Sequence, residues 1–214
     1  MLWLYYILAV IITIFIHELG HIIVALLCGI KVEIFSLGFG KPFISKKLWG
    51  IEFRLTPWLV GGYAKLEGEN SNKKTGWLNK RYYKKVLVSY AGIAMNLLLA
   101  CICYLIMYKS IWFGLNFDYL LIKSIIVKDY DSIFILLSSV KLNLFLMQLS
   151  LLNLFSCVAN ALPFPALDGC YPLLFWIEKL NKKNYVAILN KITRIGFTLV
   201  MILQAILIYY IFVL

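Results

Sequence analysis

Three ionisable side chains, His17, Glu18 and His21, stand inside the otherwise apolar stretch ITIFIHELGHIIVALLCG, from Ile12 to Gly29. Histidines four residues apart share one face of an α-helix, one turn above the other, so both imidazoles can reach a single metal ion. Glu18 then points nearby without having to be a ligand. This HExxH arrangement suits zinc hydrolysis, in which the metal polarises a carbonyl and acidifies its bound water while the glutamate takes the proton. On a soluble helix the pattern is a weak signal, because a solvated face explains it as well. In lipid that explanation fails: an ionisable group at the bilayer centre costs roughly 2.5–3.5 kcal/mol on insertion scales and needs a buried polar partner. His17 and His21 are also the only histidines in the chain.

A catalytic zinc usually has three protein ligands and one open position, so one ligand is missing from the motif. Asp168 is the candidate, because it follows the apolar run Leu142 to Leu162 within NALPFPALDGCYP. Pro163 and Pro165 cannot sustain a regular helix and Gly169 permits unusual backbone angles, which breaks the helix at membrane depth just before Asp168. Irregular backbone at that depth is tolerated where it is buried in protein or lines a watery cavity. The plainer alternative is a helix-to-loop exit with a solvated aspartate.

The elements that must position these groups are membrane elements. Of 214 residues, 63% are hydrophobic and 14% charged, and the mean hydropathy is +0.87, which excludes an ordinary soluble domain. Four runs are long enough to span a hydrocarbon core that needs about 20 apolar residues: Leu2 to Ile30, Val86 to Tyr108, Leu142 to Leu162 and Ile195 to Leu214. The first is not read as a cleaved signal peptide, since no Lys or Arg precedes it and no small-residue cleavage pattern ends it. The formal charge of +11 does not indicate nucleic acid, because the basic residues are distributed by loop. Twelve of the 21 Lys and Arg fall between residues 28 and 85 and five between 166 and 194, against four, offset by Asp118, Asp129 and Asp131, between 109 and 141. The positive-inside rule puts the first two connections in the cytoplasm and both termini outside. His17, His21 and Asp168 then meet near the cytoplasmic leaflet. Cys28, Cys101, Cys103, Cys157 and Cys170 show no metal-ribbon or CxxC spacing and read as small apolar filler. With no internal repeat or soluble domain, residues 1–214 read as one membrane domain.

Together these residues resemble the site-2 protease family of intramembrane zinc metalloproteases, and within it the bacterial regulator-of-sigma-E branch. HELGH is similar to the family's HExxH, VEIFSLGFGKP and GGYAKLEGE to that branch's membrane-embedded β segment, and NALPFPALDG to its NxxPxPxLDG, all in the family's order. The second-span motif, usually GPxxN, is Gly92-Ile93-Ala94-Met95-Asn96, which keeps Gly92 and Asn96 and loses the proline, and the usual second glycine after the aspartate is Cys170. Relatives in the branch carry PDZ domains between the second and third spans, and the connection Lys109 to Lys141 is too short for one.

The resemblance implies zinc on His17, His21 and Asp168, Glu18 as general base, and Asn96, Gly92, Asn160, Pro163 and Pro165 as accessory, substrate-side residues. It also implies a bacterial inner or plasma membrane and substrates that are themselves transmembrane proteins or peptides. Read from the residues alone, Asn96 is a polar group on an apolar span that wants a partner, and interhelical hydrogen bonding serves equally well. The segment 31–66 alternates polar and apolar residues between glycine turns and reads as a small β-sheet. Its edge could pair with an unwound substrate. GWLNKRYYKK reads as an interfacial anchor, with aromatics at headgroup level and lysines toward anionic lipid. The expected fold is a polytopic α-helical membrane protein of about four spans with a β insertion after the first. The expected function is intramembrane proteolysis, whether regulatory or in signal-peptide or pheromone-precursor processing. The alternative is a proteolytically silent adaptor that binds membrane segments. A transporter is disfavoured because only one span is broken and no repeat symmetry is present.

Overall fold

The first apolar run folds as a single helix, α1 (Leu2–Leu27), of 26 residues, about 39 Å long at 1.5 Å per residue. Gly29 ends it: with φ +68 it takes the left-handed conformation that other residues adopt at a cost. Ile30 N–H returns to Ala25 O and Gly29 N–H to Leu26 O, each at 2.9 Å, the Schellman pattern that satisfies carbonyls at a helix end. The computed structural model describes residues 2–68, 76–139, 144–180 and 185–213.

A four-stranded sheet follows, made of β1 (Val32–Phe39), β2 (Ile44–Leu48), β3 (Ile51–Leu55) and β4 (Trp58–Leu66), as the alternation in residues 31–66 leads one to expect. The order is β2-β3-β1-β4. β2 and β3 form a hairpin around Trp49 and Gly50, both at positive φ. β3 runs parallel to β1, and β4 runs antiparallel to it at the sheet edge.

Six α-helices are described after the sheet: α2 (Tyr82–Tyr108), α3 (Ile111–Val127), α4 (Tyr130–Ser139), α5 (Leu144–Ala161), α6 (Tyr171–Leu180) and α7 (Tyr185–Val213). Among the described residues three helices have the length and composition to cross a membrane, Trp3–Leu27, Tyr82–Tyr108 and Leu144–Ala161. The fourth expected span falls on α7, a 29-residue helix, with Leu214 outside the described residues, as are Lys73, Lys74, Lys141, Lys182 and Lys183 of the topology argument. α3 and α4 occupy the connection between the second and third spans. α3 folds back on α2, where Tyr104 O–H donates to Asp118 Oδ2 at 2.5 Å. Asp118 is thus buried, 2% exposed, and not a solvated loop charge.

Two apolar clusters hold the bundle together. One joins Ala9, Ala100, Tyr104, Met107, Phe117 and Met147; the other joins Ile22, Ala25, Phe35, Trp77, Val88 and Phe175. His17 lies on α1 between them.

The stretch GWLNKRYYKK departs in part from its reading as a lipid anchor: Tyr82 and Tyr83 are exposed, whereas Trp77 and three lysines have partners inside the protein. Trp77 is buried, 6% exposed, with its ring edge-on to Phe175 at 5.3 Å. Lys84 Nζ donates to Cys28 O at 2.8 Å and Lys80 Nζ to Gly29 O at 3.1 Å. These cations complement the negative end of the α1 dipole. Lys85 is buried, bonded to Glu178 of α6 and set over the Phe175 ring. A buried cation keeps its charge only with such a partner, so the pair clamps α6, and the turn before it, onto α2.

Candidate metal centre

α1 delivers His17 and His21 to one point, with their Nε2 atoms 3.2 Å apart. α5 stops at Ala161, and the chain crosses residues 162–167 without regular structure before Asp168 opens a single 3-10 turn. Asp168 Oδ2 lies 2.8 Å from His17 Nε2 and 3.3 Å from His21 Nε2. The residue in that segment with a left-handed backbone is Ala166, φ 75, not Gly169. Gly169 serves a close approach instead: a Cβ there would stand 2.3 Å from Ala161 O. The small residue therefore lets the turn press back against the end of α5.

The three donor atoms lie within 4.8 Å of one another, and three observations test whether a metal fits them. Asp168 Oδ2 is buried with no hydrogen-bond partner of regular geometry among the described residues, and it lies against the two imidazole nitrogens. His21 Nδ1 is 2.7 Å from Val88 O, which fixes the hydrogen on Nδ1 and leaves the Nε2 lone pair facing the centre. Gly92 of α2 faces the same point: a Cβ built on it would be 2.5 Å from His21 Nε2 and 2.8 Å from His17 Nε2. The volume a metal needs is kept free because residue 92 has no side chain. Two imidazoles and a carboxylate are the donor set of a catalytic zinc, and the residues fit it.

Gly92→Ala is accordingly expected to cut zinc occupancy below about a tenth of wild type. Its helix should survive, since alanine favours a helix interior over glycine by about 1 kcal/mol. Zinc analysis beside circular dichroism of the purified variant checks this, and full occupancy would remove Gly92 from the site.

Glu18 is 8% exposed and packs against β4, where a Cβ on Gly62 would come within 2.9 Å of its Cγ. A cavity of about 640 Å³ opens here, lined by His17, Glu18, Asp168 and Asn160 together with Gly61, Gly62, Tyr63 and Ala64 of β4. It has the size of a ligand site. Phe197 of α7 lines it from the far side and meets Phe39 at 5.2 Å.

Of the other expected site residues, Asn160 lines the cavity. Pro163 is exposed, and Pro165 packs against α7, where a Cβ on Gly196 would be 2.2 Å from Pro165 O. Asn96 is fully buried and sits behind His17, its Nδ2 3.2 Å from His17 Nδ1. It also reaches across to Ser156 of α5, as the interhelical reading of that asparagine expects. Ser156 was missed in the sequence, although Asn153, Ser156 and Asn160 recur at helical spacing along an apolar span and so mark one polar face.

The description "Peptidase family M50" matches residues 5–203. A protein of Helicobacter pylori named "putative zinc metalloprotease" is 42% identical over 100 residues, which are 42% of this chain and 29% of that protein. One of the same name in Borreliella burgdorferi is 37% identical over 138 residues, 59% of this chain and 31% of that protein. A third, in Campylobacter jejuni, is 42% identical over 101 residues, 44% of this chain and 27% of its own. The chain thus matches less than a third of the length of each of these relatives.

Proposed function

The chain belongs to peptidase family M50, and from that premise we propose that it is an intramembrane zinc metalloprotease that hydrolyses peptide bonds within or near the membrane segments of its substrates. The observation that carries this reading is the meeting of three donor atoms at a point left free by Gly92, beside a buried Glu18 and a cavity walled by a strand edge. Zinc is the cofactor of this family, and the names of the relatives agree.

In this reading His17, His21 and Asp168 would hold the metal, which when bound would supply Lewis acidity to the scissile carbonyl and to the attacking water. Glu18 accepts the proton of that water and returns it to the nitrogen of the leaving amine. Burial of Glu18 against Gly62 fixes where that proton is held. The edge of β4 receives the substrate: a helix hides its carbonyls, whereas a segment paired to a strand edge presents an extended peptide bond. The membrane is bacterial. Both termini lie outside, and the site opens toward the cytoplasmic leaflet, in keeping with the lysine and arginine distribution.

The test is a model membrane-segment substrate incubated with the purified chain and zinc, in versions with and without glycine and proline in its span. These residues cost a helix interior about 1 and 3 kcal/mol. Replacing them by leucine is expected to slow cleavage at least tenfold, because the extended form becomes rarer. Binding of the substrate without any cleavage would favour the adaptor, and equal cleavage of both versions would remove unwinding as the basis of selection.

A further inference from the structure

His17 has two ring nitrogens with different surroundings. Nε2 faces Asp168 Oδ2 and His21 Nε2. Nδ1 faces away from the centre and meets one atom of the Asn96 amide at 3.2 Å. That same amide atom is 2.7 Å from Ser156 Oγ, and Ser156 Oγ accepts from Asn160 Nδ2 at 3.2 Å. Asn96 is fully buried, its second amide atom has no partner among the described residues, and its side chain is not on the cavity wall.

We propose that Asn96 and Ser156 are positioning residues for His17, a hydrogen-bonded chain from α5 through α2 that sets the orientation of the imidazole and the nitrogen that carries its hydrogen. The inference rests on the metal reading given above. A ring nitrogen that binds a metal presents its lone pair, so the other nitrogen carries the hydrogen and needs an acceptor. His21 finds its acceptor in the main chain, at Val88 O. The acceptor for His17 comes from Asn96, whose amide fills the same space with either end toward the ring, so that the network decides which end it is. With the oxygen forward, Asn96 accepts from His17 Nδ1–H and from the Ser156 hydroxyl, and Ser156 accepts from Asn160. Each of these hydrogens then has one acceptor. A role in holding substrate is poorly served by the same geometry, because Asn96 is fully buried and does not line the cavity.

The experiment measures zinc affinity of the purified full chain in detergent by competition with a chelator, together with the visible spectrum of the cobalt-substituted protein. Asn96→Leu is expected to weaken zinc by about 10–100-fold, the usual effect of losing an outer partner of a metal-bound histidine. Ser156→Ala is expected to weaken it by about 2–10-fold, the worth of one neutral hydrogen bond, and Ser156→Thr, which keeps the hydroxyl, should restore wild-type affinity and spectrum. Wild-type zinc affinity in both Asn96→Leu and Ser156→Ala overturns the proposal, including the case in which either variant only lowers the melting temperature of the metal-free protein or only raises KM. His17→Ala distinguishes the two levels of inference. If it too binds zinc like the wild type, the metal reading itself fails; if it loses zinc while the other two do not, only the role of Asn96 and Ser156 fails.

Discussion

Glu18→Gln is expected to keep its zinc and to lose about 10²–10⁴-fold in the rate of peptide hydrolysis, the range that a positioned general base contributes. The substitution keeps the volume of a side chain packed against β4 at 8% exposure, so the fold and the three donor atoms should be undisturbed. What it removes is the capacity to accept a proton from the attacking water. The variant is therefore also the right one for trapping substrates in membranes. Turnover of a model substrate at saturating zinc is the measurement, and a rate within about tenfold of wild type would end the assignment of Glu18 as base.

Asp168→Ala is expected to weaken zinc by more than the roughly 10–100-fold typical of an outer partner, because a ligand and a negative charge are lost together. Two histidines alone make an incomplete site. The backbone of the turn should persist, since its cap residue is Leu167, with no side-chain cap bond, and the Cys170 N–H bond to Leu167 O, 3.1 Å, is main chain. The clamp of Lys85 on Glu178 also remains to hold α6 against α2. Zinc titration of the variant beside its helix content separates loss of metal from loss of fold, and wild-type affinity would remove Asp168 from the ligand set.

Much of this molecule is legible in the order of its residues. The composition settles that the chain lives in a membrane, because so few charges cannot solvate so much apolar surface. The spacing of His17 and His21 settles that they share a helix face, because the period of a helix is fixed by the backbone and not by its surroundings. The sheet of residues 32–66 is likewise visible in local alternation and glycine turns, and the proline-broken end of α5 is visible in Pro163 and Pro165.

Tertiary structure decided the rest. Trp77, Lys80, Lys84 and Lys85 have the composition of a lipid-facing anchor, yet their partners, Phe175, the carbonyls of Gly29 and Cys28, and Glu178, are 51 to 98 residues away in sequence. Asn96 could have faced a cavity, a lipid or another helix; only the packing of α2 between α1 and α5 puts it behind His17 with Ser156 at its side. The left-handed backbone expected at Gly169 falls at Ala166 instead, and Gly169 is small for another reason, because the carbonyl of Ala161 comes near it. Local periodicity carries the chemistry that one element can offer by itself. The partner of a buried polar group is set by which distant segments the fold brings within about 3 Å of it, and no local pattern encodes that distance.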